Sequence, residues 1–145
     1  MRYLKTFESM ADLAGDSYNK RQERLRVLSD MSLELWDENF NVQVSSEVLS
    51  RDDKYIVVNI VKRGQNRFDY TDIKDTFLSM VSYMESEGHS ISIDVSDKYV
   101  SNLIPVELKG DELCLKHRVS RIDGYYLMVD YPIGQLIIKF KEWNT

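Results

Sequence analysis

The feature that most constrains the fold is one apolar stretch, KYIVVNIVK, from Lys54 to Lys62. It is rich in β-branched residues, and apolar side chains occupy both odd and even positions. Successive side chains of a strand point to opposite faces of a sheet, so this pattern predicts a strand that is covered on both faces. We therefore expect this stretch to lie in the interior of a sheet.

Two helices are predicted before this strand. At about 100° per residue, the apolar side chains of the opening segment fall on one side of a helix and the charged ones on the other. The apolar side consists of Tyr3, Leu4, Phe7, Met10, Ala11 and Ala14. Gly15 suits the left-handed conformation that ends a helix, and a second helix is expected from about Ser17 to Glu38. The residues expected to form its buried stripe are Leu25, Leu28, Ser32 and Leu35.

The rest of the chain is predicted to be strand with one further helix. Phe40 to Val44 alternates as a short strand that follows a stop at Asn39, and the polar stretch Ser45 to Lys54 is expected to be a loop. Thr71 caps a third helix that ends at Gly88. The later strands are expected at residues 91–95, 104–109, 112–119, 124–131 and 135–142, the last four joined as a meander with a tight turn at Gly110-Asp111.

Helices in the front and middle of the chain, followed by hairpin-linked strands, predict an α+β fold. We expect an N-terminal helical hairpin at residues 1–39, then one further helix and a mostly antiparallel sheet ending in a β-meander at residues 40–145. A length of 145 residues fits a single domain. With 43% hydrophobic and 30% charged residues, the composition excludes wholesale disorder.

Charge and composition narrow the classes of partner. A net charge of −5 repels phosphate backbones and disfavours nucleic acid. The densest basic cluster, Lys20 to Arg26, is dispersed around its helix and forms no row that could follow such a backbone. The apolar stretches are far shorter than the ~18 residues that span a bilayer, so no membrane association is expected. Cys114 is the only cysteine, which fits a reducing cytoplasm.

No cofactor or metal is predicted. Cys114 and His117 are three residues apart, which places them on opposite faces of a strand, and neither histidine has a second His or Cys at ligand spacing. His89 follows Gly88 at a helix end, where the helix dipole favours a protonated ring. Gly64 stands outside any glycine-rich phosphate loop, which disfavours nucleotide hydrolysis.

One group of residues indicates an enzymatic alternative. Asp94 and Glu107-Leu108-Lys109 resemble the Mg²⁺-dependent restriction-endonuclease-like nucleases, in which an Asp on one strand and an acid-x-Lys on the next hold the metal ion and the attacking water. Alternation places Glu107 and Lys109 on one face. The resemblance implies that Glu85 or Glu87 supplies the family's helical acid. The alternative interpretation, which we favour, is that Glu107 and Lys109 form the polar face of a half-exposed strand.

Three stretches resemble small uncharacterised proteins of tailed bacteriophages: MRYLKTFES at the start, Leu28 to Val44, and Phe68 to Gly88. Those proteins begin with Met-basic-x-Leu-Lys-x-Phe-Glu, continue with an acidic helix that leads into a strand, and contain a later Asp-Ile-Lys helix. The resemblance covers about half of the chain and implies no activity or catalytic residue. The start also resembles the Phe-Glu leaders that direct internal proteins into phage heads.

We therefore expect a non-enzymatic, phage-type protein-binding module. It would act as a virion-associated component, or as an inhibitor or adaptor that acts on a protein partner, and self-association is an equal alternative. The expected location is the cytoplasm of the infected bacterial host or the virion. The residues expected to bind the partner are Tyr3, Leu4, Phe7 and Met10, with packing in the core of the same domain as the alternative role of each.

Overall fold

The computed structural model describes residues 19–48, 50, 54–65, 67–96, 103–116, 126–128 and 132–142. The helices are α1 over residues 19–31, α2 (Leu33–Asp37) and α3 (Tyr70–Ser86). The strands are β1 (Phe40–Val48), β2 (Lys54–Lys62), β3 (His89–Ser96), β4 (Ile104–Lys109), β5 (Glu112–Lys116), β6 (Tyr126–Met128) and β7 (Gln135–Glu142). None of the helices in these ranges is long and apolar enough to cross a membrane.

Seven strands form one sheet in the order β1-β2-β7-β3-β4-β5-β6, and every neighbouring pair is antiparallel. The predicted α+β class is confirmed, and β2 lies in the interior as predicted. Strands β4, β5 and β6 follow one another as the predicted meander. Strand β7 departs from that order, because it inserts between β2 and β3. In this central position Leu136, Ile138 and Phe140 are all fully buried.

The core lies between one face of the sheet and the three helices. Cross-strand neighbours place most of the buried strand residues on this face, whereas Val57 and Cys114 are buried on the other. One row across the sheet is Val42, Ile60, Leu136 and Val95, and the next row is Val44, Val58, Ile138, Ile93 and Val106. The helices contribute Leu28, Leu35, Ile73, Phe77, Met80 and Met84 to the same cluster. Burying a side chain of this size is worth ~1.5–3 kcal/mol, so this face holds the helices on the sheet.

The predicted second helix is present but bends at Ser32. The Ser32 hydroxyl donates a hydrogen bond of 2.6 Å to the carbonyl of Ser29, and α1 and α2 meet at this residue. A serine hydroxyl competes in this way with the regular backbone pattern. The predicted stop at Asn39 is confirmed, because its φ of 68° is left-handed. The predicted first helix lies outside the described residues.

Helix α3 is anchored at its first turn to the hairpin between β4 and β5. Its N-cap is Asp69, one residue before Tyr70 begins the helix, so the predicted cap at Thr71 is wrong by two residues. The carboxylate of Asp72 accepts a hydrogen bond of 3.1 Å from the Asp69 amide. The Tyr70 hydroxyl donates a hydrogen bond of 2.7 Å to the carbonyl of Asp111, in the predicted turn of the hairpin. This turn fixes the position of α3 along the sheet.

Candidate functional site

Strand β1 forms one edge of the sheet. Its nine residues pair with β2 without a bulge, from Phe40 opposite Lys62 to Val48 opposite Lys54. In the part of the chain that the structure describes, no strand pairs with the other side of β1. Proteins usually protect such an edge with lysine, proline, a bulge or a short strand. The strand has the sequence FNVQVSSEV, so Glu47 is its only charged residue and none of these protective features is present within it.

The backbone pattern shows which groups of β1 point to the free edge. The Arg63 amide donates a hydrogen bond of 2.7 Å to the carbonyl of Asn39. Hydrogen-bonded and non-hydrogen-bonded pairs alternate along an antiparallel ladder, so the odd-numbered residues of β1 exchange hydrogen bonds with β2. The amides and carbonyls of the even-numbered residues therefore point away from β2. These residues are Phe40, Val42, Val44, Ser46 and Val48.

The two ends of β1 differ in how well their core-facing side is covered. Phe40 is 0% exposed, its ring lies edge-on to Phe68 at 5.2 Å, and the Lys62 ammonium group lies 4.4 Å from its ring centre. Helix α2 packs against β1 and leads directly into the Phe40 end. Val48 is on the same face at the other end of the strand and is 56% exposed. An apolar side chain therefore lies on the surface beside a free edge.

Strand β1 is longer than its sequence predicted. The polar stretch from Ser45 to Lys54 was expected to be a loop, but β1 continues to Val48 and β2 begins at Lys54. Polar Ser45, Ser46 and Glu47 are exposed because this half of an edge strand has solvent on several sides. The signal that was available is the alternation of apolar residues from Phe40, which resumes at Val48 after Ser46.

A buried polar cluster forms a second feature, where α1 crosses the sheet. The Arg24 side chain is 11% exposed and lies between two carboxylates, 3.8 Å from Glu87 and 3.7 Å from Glu142. Its guanidinium group also donates a hydrogen bond of 3.4 Å to the Glu87 carbonyl. The Nε atom of Arg24 is buried without a hydrogen-bond partner. Arg24 thus connects α1 to the end of α3 and to the end of β7.

His89 belongs to the same cluster and is 2% exposed. It pairs across the sheet with Glu142, and its Nδ1 atom is buried without a partner. Burial and the positive charge of Arg24 lower the pKa of His89, and together they outweigh Glu142 and the nearby carbonyls of Met84 and Glu87, which raise it. This direction is opposite to the one expected from the helix dipole, because desolvation by burial is the largest cause. The cluster can act as a pH-sensitive contact.

The residues of the nuclease alternative lie on the sheet face opposite the helices. Asp94 pairs with Pro105, and Glu107 lies two residues farther along β4, so the two acids are diagonal neighbours on one face. The backbones of such neighbours are about 7–8 Å apart. Glu107 and Lys109 share that face, as the alternation predicted. In the described ranges, no group of three or more His, Cys, Asp and Glu side chains is placed to hold a metal ion.

The helical acid expected from the nuclease resemblance is wrong. Helix α3 packs on the face that carries Ile93 and Val95, whereas Asp94 points to the other face. The sheet itself therefore separates Glu85 and Glu87 from Asp94, and Glu87 contacts Arg24 instead. The placement of Asp94, Glu107 and Lys109 on one face fits the nuclease alternative, but α3 provides no acid on that face.

The expected partner-binding residues Tyr3, Leu4, Phe7 and Met10 lie outside the described residues, as does His117. Cys114 is buried in β5. The basic cluster is dispersed as predicted, since Arg26 points outward to Glu23 and Asp30 while Arg24 points inward. No protein-family model, curated protein or solved structure matches this chain.

Proposed function

We propose that this chain is a non-enzymatic, phage-type protein-binding module that binds its partner by accepting a strand at the free edge of β1. The observation that carries the proposal is the edge itself, which is nine residues long, without a bulge and with one charged residue. Such an edge presents a regular row of unpaired amides and carbonyls to an incoming strand.

In strand addition, the backbone hydrogen bonds provide affinity and the side chains provide specificity. Each new backbone hydrogen bond contributes ~0.5–1.5 kcal/mol, so a strand that engages most of the even-numbered residues gains several such contributions. Specificity comes from alternate side chains. On the core-facing side these are Val44, which is half-buried, and Val48, which is exposed. The preferred strand would therefore carry apolar residues that cover Val48.

The resemblance to small tailed-phage proteins supports the finer parts of this proposal. These parts are the role of the chain as a virion-associated component, or as an inhibitor or adaptor, and its location in the infected host cytoplasm or the virion. A second contact through Tyr3, Leu4, Phe7 and Met10 stays a prediction. Strand addition at β1 does not depend on it.

The test uses a synthetic peptide with the sequence of residues 40–48 as the incoming strand. We expect hydrogen exchange at the amides of Val42, Val44 and Ser46 to slow when the peptide is added, because unpaired edge amides then become paired. Ser46→Pro should abolish this protection, since it removes an outward amide while leaving the β2 ladder intact. Ser46→Thr keeps the amide and is the matched control. Unchanged exchange at all three positions, in a wild-type chain that sedimentation shows to be monomeric, would contradict the proposal.

The divalent-metal nuclease is the second candidate, and the diagonal placement of Asp94 and Glu107 on one face favours it. Incubation with DNA or RNA and Mg²⁺ tests it directly. The nuclease proposal expects cleavage that disappears in Glu107→Gln and in Asp94→Asn. Absence of Mg²⁺-dependent cleavage by the wild-type chain would rule this candidate out.

A further inference from the structure

We infer that the strand added to β1 is β1 of a second copy of this chain, so that two sheets join edge to edge about a two-fold axis. The inference rests on the proposed function of the β1 edge and names its partner. Any antiparallel strand can pair with its own copy, because the two-fold axis sets identical residues in complementary positions. Three observations on β1 favour the copy as the occupant.

The backbone pattern selects a self-complementary register. Residues that point to the free edge must face residues that do the same, so even-numbered residues face even-numbered residues of the second copy. With the axis at Val44, Val42 faces Ser46 of the second copy and Phe40 faces its Val48. This register is the one in which all of β1 is paired. A shift by two residues leaves one end of the strand without a partner.

The difference between the ends of β1 fits the same register. The two-fold axis places the open Val48 end of one copy beside the helix-covered Phe40 end of the other. Val48 then lies on the same side as α2 of the second copy, where Leu33 is 59% exposed. Leu33 and Val48 are two of the three large apolar side chains that are exposed in the described residues. Contact of Val48 with the helix layer of the second copy would remove from water apolar surface that the single copy exposes.

The charges of the strand also permit this pairing. Glu47 is the only charged residue of β1, and in this register it faces Asn41 of the second copy. The two Glu47 residues lie at opposite ends of the joint, so no like charges face each other. The Asn41 side-chain amide can donate a hydrogen bond to the facing carboxylate. Within β1, therefore, no like charges oppose the pairing of this edge with its own copy.

Cross-linking tests the register. In the proposed dimer the two copies of residue 44 face each other in a hydrogen-bonded pair with Cα atoms ~5.5 Å apart, which a disulfide can bridge. Val44→Cys should therefore form a covalent dimer under mild oxidation. In Ser46→Cys the two new thiols are separated by four strand positions, so this control should remain uncross-linked. The wild-type chain controls for Cys114. Equal cross-linking of both variants, or of neither, would overturn the register.

Sedimentation over a range of concentrations tests the partner. We expect a monomer–dimer equilibrium that Ser46→Pro weakens at least tenfold and that Ser46→Thr leaves within about twofold. A chain that stays monomeric throughout, while the peptide of residues 40–48 still protects the even-numbered amides, overturns the second copy but leaves strand addition standing. A monomer without peptide protection overturns both. A dimer that is unaffected by Ser46→Pro overturns the β1 joint.

Discussion

The guanidinium group of Arg24 lies 3.7 Å from the carboxylate of Glu142, and this contact joins helix α1 to the end of the central strand β7. Arg24 also contacts Glu87 at the end of α3. Three elements that are far apart in sequence therefore meet at a single side chain. Because both carboxylates are about half exposed, the contact combines a partly screened attraction with the burial of the arginine stem.

Replacing Arg24 by methionine should lower the free energy of unfolding by about 1–2 kcal/mol, because the carboxylates lose their buried cation and the Glu87 carbonyl loses a donor. Arg26→Met is the matched control on the same helix. Arg26 is exposed and paired with Glu23 and Asp30, so its replacement should change the free energy of unfolding much less. Urea unfolding of the three proteins measures both effects. Equal losses would show that Arg24 is no anchor.

His89 should make stability depend on pH. Burial and Arg24 lower its pKa below the ordinary value of about 6.5, so the folded chain binds this proton more weakly than the unfolded chain does. The stability from this group is complete above about pH 6.5 and is lost as pH falls through the pKa of folded His89. The slope can reach about 1.4 kcal/mol per pH unit.

Comparison of unfolding at pH 7.5 and pH 5.5 measures this slope, and His89→Gln should flatten it. The absolute stability of the variant does not enter, because the slope is compared within each protein. An unchanged slope in His89→Gln would show that this ring does not titrate on unfolding.

Tyr70→Phe should cost about 0.5–1.5 kcal/mol, because it removes the hydrogen bond to the Asp111 carbonyl and keeps the ring. The ring continues to contact Phe77 edge-on, at 5.6 Å between centres. Burial raises the pKa of the Tyr70 hydroxyl, so it remains a donor throughout the neutral range. Faster hydrogen exchange in the β4–β5 turn should accompany the loss. A variant as stable as the wild type would argue against this anchor.

Phe77→Ala should cost about 3–5 kcal/mol, since the side chain is fully buried between α3 and the sheet and its removal leaves a cavity. Leu103→Ala, at an exposed position just before β4, is expected to change stability by less than about 0.5 kcal/mol. Thermal unfolding of both variants checks the contrast. Comparable losses would mean that the helix layer is not packed as described.

The sequence predicted those helices and strands whose burial repeats at a regular spacing along a short stretch of the chain. The apolar stretch of β2 and the stripe through Leu28 and Leu35 were recognised because burial on one or both faces leaves a periodic record in the sequence. The length of β1 was missed because Ser46 and Glu47 face solvent on an edge and resemble loop residues. The sequence of a strand does not show which other strands pair with it. The insertion of β7 between β2 and β3 therefore could not be predicted.

The candidate site was missed for related reasons. A helical projection places Arg24 on a flank of α1, and only the arrival of Glu142 and His89 from β7 and β3 makes it an inner residue. The free edge of β1 follows from strand order, which depends on pairings between distant segments. Phe40, Val42 and Val44 predicted a strand, but not its place at the rim of the sheet.

The position of β7 has a consequence for the order of events during synthesis. The ribosome makes residues 40–62 long before residues 135–142. While the intervening segments are synthesised, β1 is therefore the only one of the two sheet neighbours of β2 that is present. Until then β2 and β3, which β7 separates in the folded sheet, each lack the neighbour that β7 provides. Folding of this chain should therefore be completed late, by one segment that closes the gap between them.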